Sequence, residues 1–326
     1  MTAMPGARML AIAQAWCSPD TVARVFEPLI ADYQADGASR QGIHRLRCTL
    51  AGVACFVVSF ALTFGRDLRR PLPQGLTGRS SLTFMVFVAL GMTVQFATMF
   101  DDFVQSGANT SLIFPAFLGL ALPLALVPAT ILVATDPRWP AHAVRRAIAC
   151  GAAALVTTLI VLNGWVVPNF NQRLRVATAA HYGQPPVARG NRELSLRELA
   201  ATAAPSDAVS APRRPSRRYE LHARLGLMFS PIPIAALGLA VARCRRYALR
   251  RAILWWTVCA LVLMFGSMTV DPWSARLGAP PISGWLPHVI LILLTVAIHA
   301  TSRRDTVPPR APASGPTAKE LSGPTP

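Results

Sequence analysis

The chain alternates between long apolar runs and short polar stretches rich in arginine. The central run, Ala147–Val167, is 21 residues without a charge, about 31 Å as a helix at roughly 1.5 Å per residue. That suffices to cross a bilayer core of about 30 Å. The run closes on Asn163-Gly164-Trp165-Val166-Val167-Pro168-Asn169, where an amide, an indole and a helix-stopping proline mark a membrane–water boundary. About fifty polar residues rich in arginine and proline follow, and apolar segments resume at Leu225. This pattern predicts two membrane halves joined by one extramembrane connector.

The other runs fit that plan. Leu82–Phe100 is a spanning segment that ends on Asp101-Asp102 and a polar loop from Gln105 to Asn109. Leu112–Ala134 is the next, and it carries Pro115, Pro123 and Pro128. Each proline removes a backbone donor and disrupts the bond to the carbonyl four residues back, so this helix is expected to be kinked and packed inside the bundle. After the tight turn Thr135–Pro140, Arg145-Arg146 introduce the central run. In the second half, Leu225–Ala242 and Ala252–Val270 are spanning segments, and a last one opens at Trp285-Leu286-Pro287-His288 and ends near Ala300. Thr49–Phe64 is apolar but only sixteen residues long, with arginines on both flanks. Matched basic flanks suggest a segment that enters and returns or lies in the interface, a full crossing being the alternative.

Ahead of these runs lies an arm, residues 1–48. Met9–Ala15 is too short for a signal peptide, and no small-residue cleavage pattern follows it. Ser18-Pro19-Asp20 combines a cap, a proline at the first helical position and an acid in the first turn. Val22, Phe26, Leu29 and Tyr33 then share a face, and Asp36-Gly37 is read as the helix end. The face would lie on a membrane or dock a partner, the alternative being a helix that packs against its own loops.

The connector, 169–218, has no period-two alternation. Pro185, Pro186, Pro205, Pro212 and Pro215 also argue against a β-sandwich there. One helix is signalled, by the capping box Ser195-Leu196-Arg197-Glu198. Residues 301–326, rich in Pro, Ser, Thr and Gly, read as a disordered tail.

Composition changes the picture in one respect. Hydrophobic residues make up 52% and charged ones 14%, too apolar for an ordinary soluble chain of 326 residues. The net charge of +17 therefore reads as headgroup contacts and topology signals rather than as a nucleic-acid surface. The six cysteines include no close-spaced metal-binding pair. No Gly-x-x-x-x-Gly-Lys-Ser/Thr phosphate loop, no His-Glu-x-x-His and no catalytic triad stands out, and no carboxylate falls in mid-membrane. No enzyme, metal or cofactor is expected.

Several motifs together carry a resemblance. Pro115…Pro123 in one span, a basic turn, and a span ending Trp165-Val166-Val167-Pro168 are followed by Glu220-Leu221-His222-Ala223-Arg224 before the fourth span. Pro280-Pro281…Trp285-Leu286-Pro287 precedes the sixth. In this order the chain resembles the lipopolysaccharide export permease family (LptF/LptG type) over about residues 81–170 and 190–300. The resemblance implies an all-α multi-pass membrane protein with six family-type transmembrane helices in two three-helix halves, 81–168 and 219–300. The hydrophobic segment 49–65 is extra. It further implies a permease-like subunit of an ATP-driven exporter of lipid or lipopolysaccharide in the cell inner membrane, with a second permease subunit and a cytoplasmic ATPase as partners. The chain departs from the family pattern twice. The connector is too short for the family's periplasmic jelly roll, and the turn 135–146 lacks the longer segment that docks the ATPase. A permease-derived scaffold or regulatory protein that has lost transport is the alternative.

The family orientation puts 66–80, 135–146, 243–251 and the C-terminus inside. Arginines and lysines then divide 16 to 16 if Thr49–Phe64 crosses and 21 inside to 11 outside if it does not. On that orientation, the groups expected to meet an anionic headgroup are Asn163, Trp165 and Asn169 at the end of the third span and His222 and Arg224 at the start of the fourth. Arg224 is the leading one, since a guanidinium can hold phosphate through two parallel hydrogen bonds. Its competing role is an interfacial ion pair with Glu220, four residues away on the same helix face. His288 is read as an interfacial hydrogen-bonding residue.

Overall fold

A computed structural model describes residues 6–39, 43–106, 114–181, 183, 190–202, 217–243, 247–265 and 280–304. Among these the regular structure is helical throughout, with no strand. The connector prolines, Arg245 and Arg246 of the basic loop and the tail from 305 lie outside the described residues.

The centre of the bundle is α6, Phe114–Ala134. It packs against α5 (Leu76–Ser106), α7 (Ala141–Val161), α11 (Pro231–Val241) and α12 (Ala248–Phe265). Pro115, Pro123 and Pro128 are all buried along it. An apolar helix surrounded by helices rather than by lipid can find partners for the carbonyls its prolines free, as the sequence led us to expect. It approaches α11 closely at one point. A Cβ added at Gly238 would lie 2.8 Å from both Cβ and Cγ2 of Thr130, so only glycine allows this approach.

Four boundaries differ from the sequence reading. Pro168 does not stop the third span: α7 passes through a π-helical turn, Leu162–Val166, into α8, Val167–His181. In the wide turn the Val167 N–H bonds the Leu162 carbonyl five residues back. The proline that follows thus enters a ladder already shifted by one residue, without the clash it causes in an ordinary α-helix. The same device recurs in the arm, where the π turn Val22–Phe26 stands just ahead of Glu27-Pro28. The fourth span, conversely, is broken. α10 (Arg217–Phe229) and α11 meet at Ser230-Pro231 with a bend of 42°. The acidic Asp101-Asp102 does not end α5, which runs to Ser106. Finally, Asp36-Gly37 does not end its helix, since α3 continues from Glu27 to Ser39.

Thr49–Phe64 lies within one unbroken helix, α4, Ile43–Leu68, so it does not enter and return. It is exposed nearly all round, as at Leu50, Val57 and Leu62, and is long and apolar enough to cross. Among the described residues five helices meet that standard, or six with the bent pair taken as one span. Ala248–Phe265 falls outside that set, and residues 266–279 beyond it are not described.

The arm packs on its own chain. Ser18 caps α2 (Pro19–Thr21) by accepting from the Thr21 N–H, as its sequence predicts. Val22, Phe26 and Ile30 bury against Phe56 of α4, with Leu29 and Phe60 beside them, and the Tyr33 ring lies on Gly52. Asp67 at the end of α4 fastens the arm. Its carboxylate accepts from the Ser18 N–H at 3.0 Å and the Thr21 hydroxyl at 3.2 Å, and it pairs with Arg70. Arg146 donates to the Asp67 and Pro71 carbonyls at 2.8 and 3.1 Å, and Arg145 donates to the Ala15 carbonyl at the end of α1, Ala7–Trp16. These arginines close the ends of neighbouring helices, where the last carbonyls lack intrahelical donors.

Candidate functional site

The connector and both halves meet at one end of the bundle. Described connector residues form a 3₁₀ turn, Asn191–Glu193, and a short helix, α9, Leu196–Thr202. The capping box is present in full: the Ser195 N–H donates to Glu198 Oε2 at 2.7 Å and the Glu198 N–H to Ser195 Oγ at 3.3 Å. Leu199 is fully buried and Leu196 lies over Gly164. Arg175 of α8 pairs with Glu193 at 2.7 Å, and the Asn171 amide donates to the Arg192 carbonyl at 3.2 Å.

Arg224 is the clasp of this assembly. It is 9% exposed, its Nε donates to Glu220 Oε1 at 2.9 Å, and its Nη1 and Nη2 donate to the Leu194 and Asn191 carbonyls at 2.7 and 2.9 Å. The pair with Glu220 is present, but it is buried rather than exposed at an interface. The two terminal nitrogens bind connector backbone, which the sequence could not reveal because those carbonyls lie 30 and 33 residues away. In this arrangement the guanidinium donors that a phosphate would need are directed at the chain itself.

His222 lies beside it, its Nδ1 accepting from Trp285 Nε1 at 3.1 Å, which leaves the proton of a neutral ring on Nε2. Trp285 ends a 3₁₀ turn, Pro281–Trp285, that leads through buried Pro287 into α13, Leu286–Arg304. The approach of this turn to α10 is very close. A Cβ on Gly284 would lie 2.8 Å from the Ala223 nitrogen, and one on Gly226 would lie 2.8 Å from His288 Cε1. His288 is buried rather than exposed at an interface, and it lies edge-on to Trp285 with ring centroids 5.9 Å apart.

The structure thus gathers Glu220, His222, Arg224, Trp285 and Pro287. It places the remaining three candidates elsewhere. Asn163 is buried in the π turn with its Oδ1 3.2 Å from where a Gly119 Cβ would stand. Gly119 is the residue whose carbonyl loses its donor to Pro123, so the amide sits at the weak point of α6. Trp165 is 69% exposed and Asn169 is also exposed.

A second feature lies on the α8 side. An apolar groove of about 610 Å³ runs between Thr93 and Phe96 of α5, Pro115 and Phe117 of α6, and Phe170 of α8. That is within the range of about 300–1,000 Å³ for small-molecule sites. Gln95 braces its wall by donating to the Gly91 and Phe117 carbonyls at 3.3 and 3.4 Å. At its rim the Arg173 guanidinium stands 5.8 Å from the Phe170 ring centre, within cation–π range. The sequence reading passed over Arg173 because it ended the helix at Pro168. The signal was the length of the uncharged stretch, which runs from Ala147 through Gln172.

Among the described residues no cluster of His, Cys, Asp and Glu could hold a metal ion. Compared with protein-family models and with curated proteins, the sequence matches none. What the helices define is an all-α, multi-pass membrane protein.

Proposed function

We propose that this chain is a permease-like transmembrane subunit that handles a lipid or lipopolysaccharide-like amphiphile in the cell inner membrane. Its ATPase and a second permease subunit would be separate chains. The observation that supports this reading is the groove between α5, α6 and α8, an apolar slot walled by spanning helices and bordered by a cation. Asn169 and Trp165 are exposed on the same π-turn and α8 segment, available to headgroups. Arg224 supports it differently, by holding the connector against the bundle, and His222 by accepting from Trp285 at the start of the last span. The test is purification from native membranes in mild detergent. An ATPase subunit and bound lipid are expected to co-purify, and a preparation that retains neither overturns the proposal.

The second reading, a permease-derived scaffold or regulatory protein, has one observation in its favour. The arginines of the turn 135–146 are engaged by the chain itself: Arg138 with Asp136, Arg145 with Ala15, and Arg146 with Asp67 and Pro71. Where the resembled family offers this turn to an ATPase, here the arm is fastened to it. A soluble or membrane partner co-purifying without any ATPase selects this reading over the first.

A further inference from the structure

We infer that the groove between α5, α6 and α8 is a binding site for an anionic phospholipid-type amphiphile, with an acyl chain in the slot and the headgroup phosphate on Arg173. The inference deepens the permease reading by naming the ligand class and its contact residue.

Three observations carry it. The first is depth. Twenty-six residues, Ala147–Gln172, separate Arg146 from Arg173 without a charge, and they belong to one helix continued through the π turn. That is about 39 Å of helix, against about 40–45 Å for a bilayer including its headgroups. With Arg146 at one headgroup level, Arg173 stands at the other. The second is charge. Arg175, two residues on, is neutralised by Glu193, whereas Arg173 is exposed and has no carboxylate partner among the described residues. Its contact with the Phe170 face leaves its N–H groups free for a phosphate, which a guanidinium binds in bidentate fashion. The third is continuity. Phe170 is at once the ring beneath Arg173 and part of the groove wall. A ligand with an apolar chain and an anionic head is therefore matched along its length, whereas a neutral hydrocarbon leaves the arginine idle and a bare anion leaves the slot unfilled.

The experiment uses the isolated full chain, so it does not depend on an ATPase and fails separately from the permease proposal. Native mass spectrometry measures phosphatidylglycerol and phosphatidylcholine of identical acyl chains bound per protein. The wild type is expected to prefer phosphatidylglycerol. Arg173→Gln should remove that preference, a change of about fivefold for one cation near the membrane surface, and Arg173→Lys should restore part of it. Thr93→Trp, which fills the slot, should lower occupancy by both lipids while the protein stays monodisperse. Millimolar inorganic phosphate should displace neither. Unchanged lipid preference in Arg173→Gln, unchanged occupancy in Thr93→Trp, or displacement by phosphate alone each overturns the assignment.

Discussion

Arg224 and Asp67 show how much a single side chain can hold together here. Arg224→Lys keeps a positive charge near Glu220, but its three donors sit on one nitrogen where Arg224 uses three, so at least one of the Asn191 and Leu194 carbonyls loses its donor. The expected cost is on the order of 1–3 kcal/mol, concentrated in the connector. Limited proteolysis of the membrane-embedded protein should show faster cleavage near residues 190–202, with the spans intact. Asp67 is tested through Cys17. That thiol is 1% exposed, and burial, with the Asp67 carboxylate adding to it, pushes its pKa up to about 11. It is therefore almost wholly uncharged at pH 7.5, and a maleimide should modify it slowly. Its contribution to stability is present below its unfolded pKa of about 9 and is lost as the pH rises through about 11. Asp67→Asn weakens the hold on Ser18 and Thr21, and labelling of Cys17 at pH 7.5 should accelerate. Equal rates in the two proteins would show that the arm stays docked without the carboxylate. At this scale the sequence displayed what is local. The Ser18 cap and the Ser195–Glu198 box were legible because their partners lie three residues away. The carbonyls held by Arg224, Arg145 and Arg146 were not, because backbone acceptors carry no sequence signature.

Elements are positioned by where the backbone can come close. Gly238 against Thr130, Gly226 against His288 and Gly284 against Ala223 are three such places. Of these, Gly238 faces a β-branched side chain on the central helix. Gly238→Val is expected to force α11 from α6 at a cost of about 1–3 kcal/mol, read as a lower unfolding midpoint in detergent. Gly78, with open space around it, is the control and should tolerate alanine. Element identity was largely legible: each apolar run that falls on described residues is a helix. Element ends were not. Pro168 was read by the rule that proline stops a helix, and that rule fails where a π turn comes first. Pro28 and Pro168 occupy the same place relative to their π turns, so an apolar helix pattern continuing past a proline was the available signal. The break at Ser230-Pro231 obeys the ordinary rule, and the apolar character of Leu225–Ala242 hid it.

On the scale of the whole molecule, the dense basic loop Arg243–Arg251 around Tyr247 predicts that Tyr247 lies inside, which puts the connector end of α8 outside. In a cysteine-free background, a membrane-impermeant maleimide should label a cysteine at Val176 from outside and miss one at Tyr247. Both positions are exposed, so the reverse pattern would invert the topology. The two-half plan was legible from the spacing of apolar runs. The groove was not, because its walls come from three helices whose mutual packing no linear pattern encodes. One feature of this architecture has a mechanical meaning. The helix from Ala141 through the π turn to His181 is about 60 Å of nearly unbroken rod. One end is tied to the arm by Arg145 and to the end of α4 by Arg146, and the far half carries Phe170 on the groove wall. Pivoted at its basic end, such a rod moves its far end about 5 Å for a tilt of about 5°. Where the arm holds Arg145 and where Phe170 stands are thereby linked through one rigid body.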